Sequence, residues 1–500
     1  MNAISIVVVV ICLGISLGVG AFFSRRQTGT GAYFLADGRM SGWPIGFSIT
    51  ANMISAMTFL SNPGYSFQQD FRWVLPGFCF IFMAVFSMFF IAPYFRKVSL
   101  PSGYQYLEQR FGTWARAYAA IGYLLFQFLR LAIILYATSI ALEIFLGVPA
   151  CWIIFVMGVV VTIYTMMGGF EAVVWTEVFQ VVILAVGAIV LVPAVLHFIP
   201  GGISTVFDMA VPAGKMSLGS MSFTFAEKTI WVMMLSSLMV NASDYTTRQD
   251  FIQRYRAPRS LGHTRLALAI GTFTVVPIWI YFNFLGTSLW TLYQVQPDPV
   301  VDAFRSVAPE KIVPYFMNTR LPPALGGLVL GGILMASLST LAPLLNASAV
   351  TLVSDIYQRF MVKGRGDLHY LKAGRVTTAC IGVLTIGLAL YIAAARTQTL
   401  QDLHYTASVV MSAGLFGLFM LGFFSKRTGG KPAIIATSVT LAVTIVWLAL
   451  RSAPAAARWP ALAARVPDYF WIPVFTNLLL PAVALLVARA LRGRAPPAAP

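Results

Sequence analysis

Residues 45–67 read IGFSITANMISAMTFLSNPGYSF. The stretch has the length of a bilayer-crossing helix, which needs about 20 residues. Yet Ser48, Thr50, Asn52, Ser55, Thr58, Ser61 and Asn62 crowd it, and Pro63-Gly64 follows. Ser and Thr help membrane helices pack, so no one of them decides anything. The cluster does, because unwound backbone at membrane depth is tolerated only where it is buried in protein or lines a cavity. The stretch is read as an interrupted membrane helix. Residues 229–247, TIWVMMLSSLMVNASDYTT, are again polar at their middle and end. Paired interruptions in corresponding halves of a chain mark a transporter's binding site.

The rest of the chain supplies the frame. Of its 500 residues 58% are hydrophobic and only 10% charged, and the mean hydropathy is +0.80. A soluble protein would carry about a quarter charged residues. Apolar runs recur at 3–23, 43–66, 74–95, 114–146, 150–167, 171–197, 227–242, 261–290, 325–353, 374–395, 402–424, 431–450 and 469–490. The reading is an all-α polytopic membrane protein of about 13 transmembrane helices. Five spans separate the two interrupted ones, which fits a five-plus-five inverted repeat: 43–197 and 227–424 as halves, with 1–42 and 431–500 as additions. Residues 1–23, MNAISIVVVVICLGISLGVGAFF, lack the basic start and small-residue cleavage site of a signal peptide and are taken as the first span. Cys12, Cys79, Cys151 and Cys380 all fall in apolar runs, where they read as small buried hydrophobes, not as a disulfide or metal framework.

The net charge of +17 raises nucleic acid as a partner, but its distribution points elsewhere. Six interhelical or terminal stretches on one face hold 23 of the 34 Lys and Arg residues, and the opposite face holds ten. By the positive-inside rule the C-terminus is cytoplasmic and the N-terminus outside, in a plasma or bacterial inner membrane. The lipid bilayer is thus the partner the charge implies. Nothing implies nucleic acid or an obligate protein partner. The one basic residue left over is Arg130, at the centre of LLFQFLRLAIILY (124–136).

A charge within the membrane is costly and faces the bundle interior or water. Guanidinium is a planar donor fork that matches a carboxylate, so the simplest counter-ion is a substrate anion. The competing reading pairs Arg130 with a protein acid or with unwound carbonyls. Glu143, on the same helix, is about 20 Å away at 1.5 Å per residue, and no acid is expected in the middle of another span. Gln127, one turn earlier, either shares the site or packs in the core.

The ninth span, LGGLVLGGILMASLSTLAPLLNASAVTLVSDIY (325–357), is the other dense polar helix. Gly326, Gly327, Gly331 and Gly332 allow close helix contact. Ala336, Ser339 and Thr340 sit at i, i+3 and i+4, on one helical face. A hard monovalent cation wants several oxygen ligands. Two hydroxyls here, with carbonyls freed where the second span unwinds, supply them, and Pro343 frees a further carbonyl at Ser339.

Four ordered motifs carry a resemblance. SGYQYLEQRFG (102–112), GGFEAVVWTEVFQ (168–180), RQDFIQRY (248–255) and LLNASAVTLVSDIY (344–357) resemble those of the sodium:solute symporter family over nearly the whole chain. The resemblance implies a LeuT-type core and solute uptake coupled to a sodium gradient. It implies a sodium site with backbone ligands at Ala51, Ile54 and Ala336 and hydroxyl ligands at Ser339 and Thr340. An Arg at position 130 resembles the branch that carries sialic acids and related organic acids. That branch also sets Ser and Thr of the first core helix against the solute, matching Ser55 and Thr58. Some members add a second sodium site from a further hydroxyl pair and an acid. Here the pair is replaced by Ala342 and Pro343 and the acid position is Glu177. One sodium per solute is therefore expected, with Glu177 either guiding the ion toward the cytoplasm or serving as a structural hydrogen-bond partner.

The expected function is sodium-coupled import of a small organic anion by alternating access, with Na+ as the transported coupling ion. The alternatives are a neutral sugar or other neutral solute, or proton coupling. An enzyme is disfavoured, since His197, His263, His369 and His404 form no metal-ligand spacing. A channel would need a continuous polar lining.

Overall fold

The computed structural model describes residues 3–24, 29–97, 102–225, 229–395, 408, 414–425, 428–452 and 457–492. They are helical almost throughout. Helix α1 spans Ala3–Ser24. The polar second segment is two helices, α2 (Gly42–Met53) and α3 (Ala56–Gln68). Between them Ile54 (φ −111°, ψ 104°) and Ser55 (φ −111°, ψ 179°) are extended. The break is built by local side chains. The Ser55 hydroxyl accepts from Met57 N–H at 3.2 Å and the Thr58 hydroxyl accepts from Ser55 N–H at 3.3 Å. This reciprocal capping box stabilises a fresh helix start in the middle of the segment.

Helix α4 spans Leu75–Phe86 and runs on through a π turn to Lys97. Helix α5 is Thr113–Leu146, closed by Gly147 in the left-handed conformation. The spans expected at 150–167 and 171–197 form one 48-residue run, α6 (Ala150–His197). At about 1.5 Å per residue it is roughly twice as long as a bilayer core needs. It folds over at Gly169, whose φ of 60° and ψ of −161° only glycine adopts readily.

The second broken segment comprises α7 (Ile230–Thr247) and α8 (Gln249–Arg256), parted by extended Arg248 (φ −74°, ψ 128°). Helix α7 alone reaches five residues beyond the end expected at 242. Helices α9 (Leu261–Val295), α10 (Pro323–Thr351), α11 (Asp367–Ala395), α12 (Leu415–Phe424), α13 (Gly430–Arg451) and α14 (Ile472–Arg492) complete the bundle. The first part of the span expected at 402–424, and His404, lie outside the described residues.

Helix α10 is the centre. Its apolar window is 94% buried, against 28% for α11 and α13, which sit at the periphery. Small residues let it pack closely. A methyl group added at Gly187 of α6 would lie 3.1 Å from the Leu328 carbonyl and 3.3 Å from the Gly332 Cα. Outward faces are apolar, with Phe82, Ile189 and Val383 each more than 60% exposed. Cys151 and Cys380 share that surface, against the expectation that all four cysteines are buried. Among the described residues eight helices are long and apolar enough to cross a membrane.

Candidate functional site

Helices α3, α5, α7 and α9 converge on one cavity of mixed polar and apolar lining, which Arg248 at the end of α7 also faces. From α3 come Ser55, Thr58 and Asn62, at i, i+3 and i+7, hence on one face. Helix α5 contributes Phe126, Arg130 and Ile134, one turn apart. Helix α7 contributes Ser237, Asn241 and Asp244, again one face, and Trp279 of α9 adds an aromatic edge. The Arg130 guanidinium carbon stands 5.9 Å over the Phe126 ring. Among the described residues Arg130 makes no ion pair, and its Nε is buried without a hydrogen-bond partner. Asn62 Nδ2, Ser237 Oγ and Trp279 Nε1 share that condition. Buried donors left without protein partners are uncommon in folded chains, and four around one cavity suit it to receive polar groups from a guest.

Ser55 and Thr58 both line the cavity, and both also hold the α3 cap. Their side chains therefore set the shape of the break as well as its surface. Gln127 lies on α5 beside the Tyr123 hydroxyl and does not line the cavity. It is fully buried, and both its amide atoms lack a hydrogen bond of good geometry.

A second oxygen cluster lies just beyond the break. The Ser339 hydroxyl donates to the Ala51 carbonyl at 3.2 Å and to the Ala336 carbonyl at 3.0 Å. Thr340 donates to the same Ala336 carbonyl at 3.1 Å. Two carbonyls and two hydroxyls, all fully buried, thus meet where α2 ends against α10. Ile54 is next to them, fully buried, with its N–H on the Thr50 and Ala51 carbonyls. Neutral, hard oxygen donors around a helix end suit an alkali cation.

The third feature corrects the charge map read from sequence. RQDFIQRY, part of one of the six basic stretches counted between the spans, is folded into the bundle, with residues 249–255 all buried. Arg254 and Glu177 form an ion pair at 2.8 Å with both side chains at 0% exposure. Ser48 donates its hydroxyl to Glu177 and accepts from Arg254 Nε at 2.9 Å. Arg248 grips Asp250 through Nε at 3.0 Å and Nη2 at 2.6 Å, and reaches Asp244 through Nη1 at 2.8 Å. Asn52 donates to Asp250 at 2.7 Å. Ser48 and Ala51 are three residues apart on α2, about 4.5 Å of helix rise, so the residue that hydrogen-bonds Glu177 lies one turn from a carbonyl of the oxygen cluster.

Asp244 escapes the sequence reading because the span is expected to end at 242. The signal available was the spacing of Ser237, Asn241 and Asp244, which continues one polar face past that point. The expectation concerns acids in the middle of another span; Asp244, three residues from the end of α7, nevertheless shares the cavity with Arg130.

The comparisons agree with this architecture. A model of the sodium:solute symporter family matches residues 33–439. The chain is 32% identical over 437 residues to the sodium/sialic acid symporter NanT of Aliivibrio fischeri, covering 87% of this chain and 86% of that protein. It is 30% identical over 430 residues to the sodium/sialic acid symporter SiaT of Proteus mirabilis, covering 86% of each. A solved structure of a Na+-coupled sialic acid symporter, substrate-bound and outward-open, superposes with a TM-score of 0.87 at 28% identity. The match covers 97% of this chain and 98% of that one.

Proposed function

The chain belongs to the sodium:solute symporter family, and from that premise we propose that it imports a small organic anion, a sialic acid or another carboxylate, with one sodium ion per solute. It is a multi-pass membrane transporter, not an enzyme, and sodium is its coupling ion. The observation that carries the substrate reading is Arg130, a guanidinium on the cavity, whose Nε has no protein partner among the described residues. A carboxylate satisfies it with charge-assisted hydrogen bonds. Ser55 and Thr58 supply further contacts from the capped start of α3, and Gln127 supports the Arg130 face from one turn away.

Sodium sits on the carbonyls of Ala51, Ile54 and Ala336 and the hydroxyls of Ser339 and Thr340. The two sites are joined by backbone. Ala51 and the extended Ile54 belong to the ion site, and Ser55, the next residue, faces the solute. Sodium bound at Ala51 fixes the break that presents Ser55 and Thr58. By linkage, solute bound there raises the affinity for sodium in equal measure. Alternating access then moves the broken segments around this fixed centre. A second sodium site is not expected, since Ala342 and Pro343 offer no side-chain oxygen and Glu177 is engaged by Arg254 and Ser48. Beside α2, Glu177 marks the ion's route of departure.

The same proposal places 13 spans in the membrane, with 43–197 and 227–424 as inverted halves, 1–42 and 431–500 as additions, the N-terminus outside and the C-terminus cytoplasmic. Uptake into proteoliposomes, with and without an inward sodium gradient, tests it across a panel of organic acids and neutral sugars. Sodium-driven accumulation of a carboxylate is expected. Uptake indifferent to sodium but driven by a proton gradient, or accumulation of neutral sugars alone, would overturn it.

A further inference from the structure

The organic-anion reading leaves one wall of the cavity without a task. Asp244, on the α7 face with Ser237 and Asn241, brings a carboxylate to the cavity that Arg130 lines. Its hydrogen-bonding position is unequal to that of its neighbour Asp250. Arg248 holds Asp250 with two donors, at 3.0 and 2.6 Å, and spends one on Asp244, at 2.8 Å. Asp250 is fully buried in that grip, whereas the Asp244 side chain retains 23% exposure. An ionised carboxylate has about four lone-pair sites, so Asp244 keeps acceptor capacity on the cavity side. Nearby, Ser237 Oγ has no protein partner among the described residues.

With a carboxylic acid seated on Arg130, the rest of the solute displaces water from a wall where Asp244, paired on one side with Arg248, which also lines the cavity, keeps free acceptor sites. A hydrocarbon body would strip Asp244 of its water and give nothing back, which is the costly case for a buried polar group. A hydroxyl or ammonium group would replace the lost water with a charge-assisted hydrogen bond. We infer that the transported solute is a carboxylic acid bearing a hydrogen-bond donor on its body, and that Asp244 is the residue selecting for that donor. The inference rests on the carboxylate reading of Arg130 and adds the chemistry required at the other end of the solute.

The test is binding of propionate, lactate, alanine and N-acetylneuraminate to the purified protein in sodium, by calorimetric titration. Propionate has no donor beyond its carboxyl group; lactate and N-acetylneuraminate carry hydroxyls and alanine an ammonium, so the arms also separate the two donor sources. The tightest donor-bearing acid should bind at least about tenfold more tightly than propionate, the size expected of one hydrogen bond to a charged group. Asp244→Asn should reduce that ratio to about threefold or less, and Asp244→Glu, which keeps the charge, should recover part of it. Propionate binding within threefold of the best ligand of the wild-type protein would overturn the inference, as would a ratio that survives in Asp244→Asn. The wild-type ranking needs no variant, so a variant that fails to fold leaves the inference open to refutation. A wild-type protein that binds sodium but none of the four acids would overturn the carboxylate reading itself and the inference with it. Acids bound without regard to their donors would overturn the role of Asp244 alone.

Discussion

Arg130 and Arg254 are both guanidiniums inside the same helical bundle, and their surroundings differ in one respect. Arg254 is closed on all sides: Glu177 takes its Nη2, Ser48 its Nε and the Asp250 carbonyl its Nη1. Arg130 has a cavity before it and a buried Nε with no partner among the described residues. A buried charge that is fully paired holds the elements it joins, here α2, α6 and α8. One left unpaired keeps its binding capacity for a guest. The cost of each also falls at a different time. Arg254 is compensated on folding, whereas on the proposed reading Arg130 is compensated once per transport cycle, when an anion arrives. Substitutions at the two positions should therefore fail in different ways.

The largest effect is expected at Arg130. Arg130→Ala should reduce uptake of carboxylates by about 100-fold or more in proteoliposomes, the order of two lost charge-assisted hydrogen bonds. Its thermal unfolding should stay near that of the wild type, because among the described residues Arg130 makes no ion pair and only its contact over the Phe126 ring is lost. Unfolding lowered by many degrees would show instead that Arg130 is structural. Next comes the closed pair. Glu177→Gln alone leaves Arg254 buried and uncompensated, a loss of about 3–5 kcal/mol, and denaturation should show it. The double replacement Glu177→Leu with Arg254→Met should recover a substantial part, since removing both partners of a buried pair is far cheaper than removing one. Equal losses for the single and double variants would contradict this.

A smaller effect is expected at the oxygen cluster, where one hydroxyl among the five proposed ligands is removed. Ser339→Ala should lower apparent sodium affinity about tenfold, equivalent to about 1.4 kcal/mol, read from the sodium dependence of uptake. An unaltered sodium dependence would remove Ser339 from the site. The smallest is a pH effect on Glu108, in the helix Tyr104–Phe111. Partial burial pushes its carboxyl up, but the Arg359 and Arg116 guanidiniums outweigh that and hold it below its ordinary 4.5. A depressed carboxyl contributes stability that is present above the unfolded value and lost as pH falls through the folded one. Thermal stability should therefore decline on acidification below about pH 4.5, and Glu108→Gln should flatten that decline. Identical pH profiles would show the pairing contributes nothing.

The contrast between an open and a closed arginine also separates what sequence can show from what it hides. The break at Ile54 is legible because Ser55 and Thr58 act on backbone within three residues, and local capping leaves a local trace. The cluster of Ala336, Ser339 and Thr340 is legible because helix periodicity alone puts them on one face. Their meeting with Ala51 needs a partner segment, and the polar crowding of residues 45–67 supplies it. The fate of RQDFIQRY is not legible. Residue type assigns such a charged segment to water, and the acids and hydroxyls that bury it are remote: Glu177 lies 77 positions from Arg254, and Asn52 lies 198 from Asp250. Asp244 is hidden for a related reason. A hydropathy boundary ends a helix at its first charge, whereas α7 continues because Arg248 neutralises that charge from the next turn.

Arg130 and the oxygen cluster meet in a single check, sodium titration of the purified protein with and without a saturating carboxylate. If the anion on Arg130 and sodium on Ala51, Ser339 and Thr340 share the break at Ile54, the carboxylate should raise sodium affinity severalfold in the wild type. In Arg130→Ala sodium should still bind, and the carboxylate should no longer alter its affinity. Sodium affinity indifferent to carboxylate in the wild type, or a rise that persists in Arg130→Ala, would contradict the coupling of these two sites.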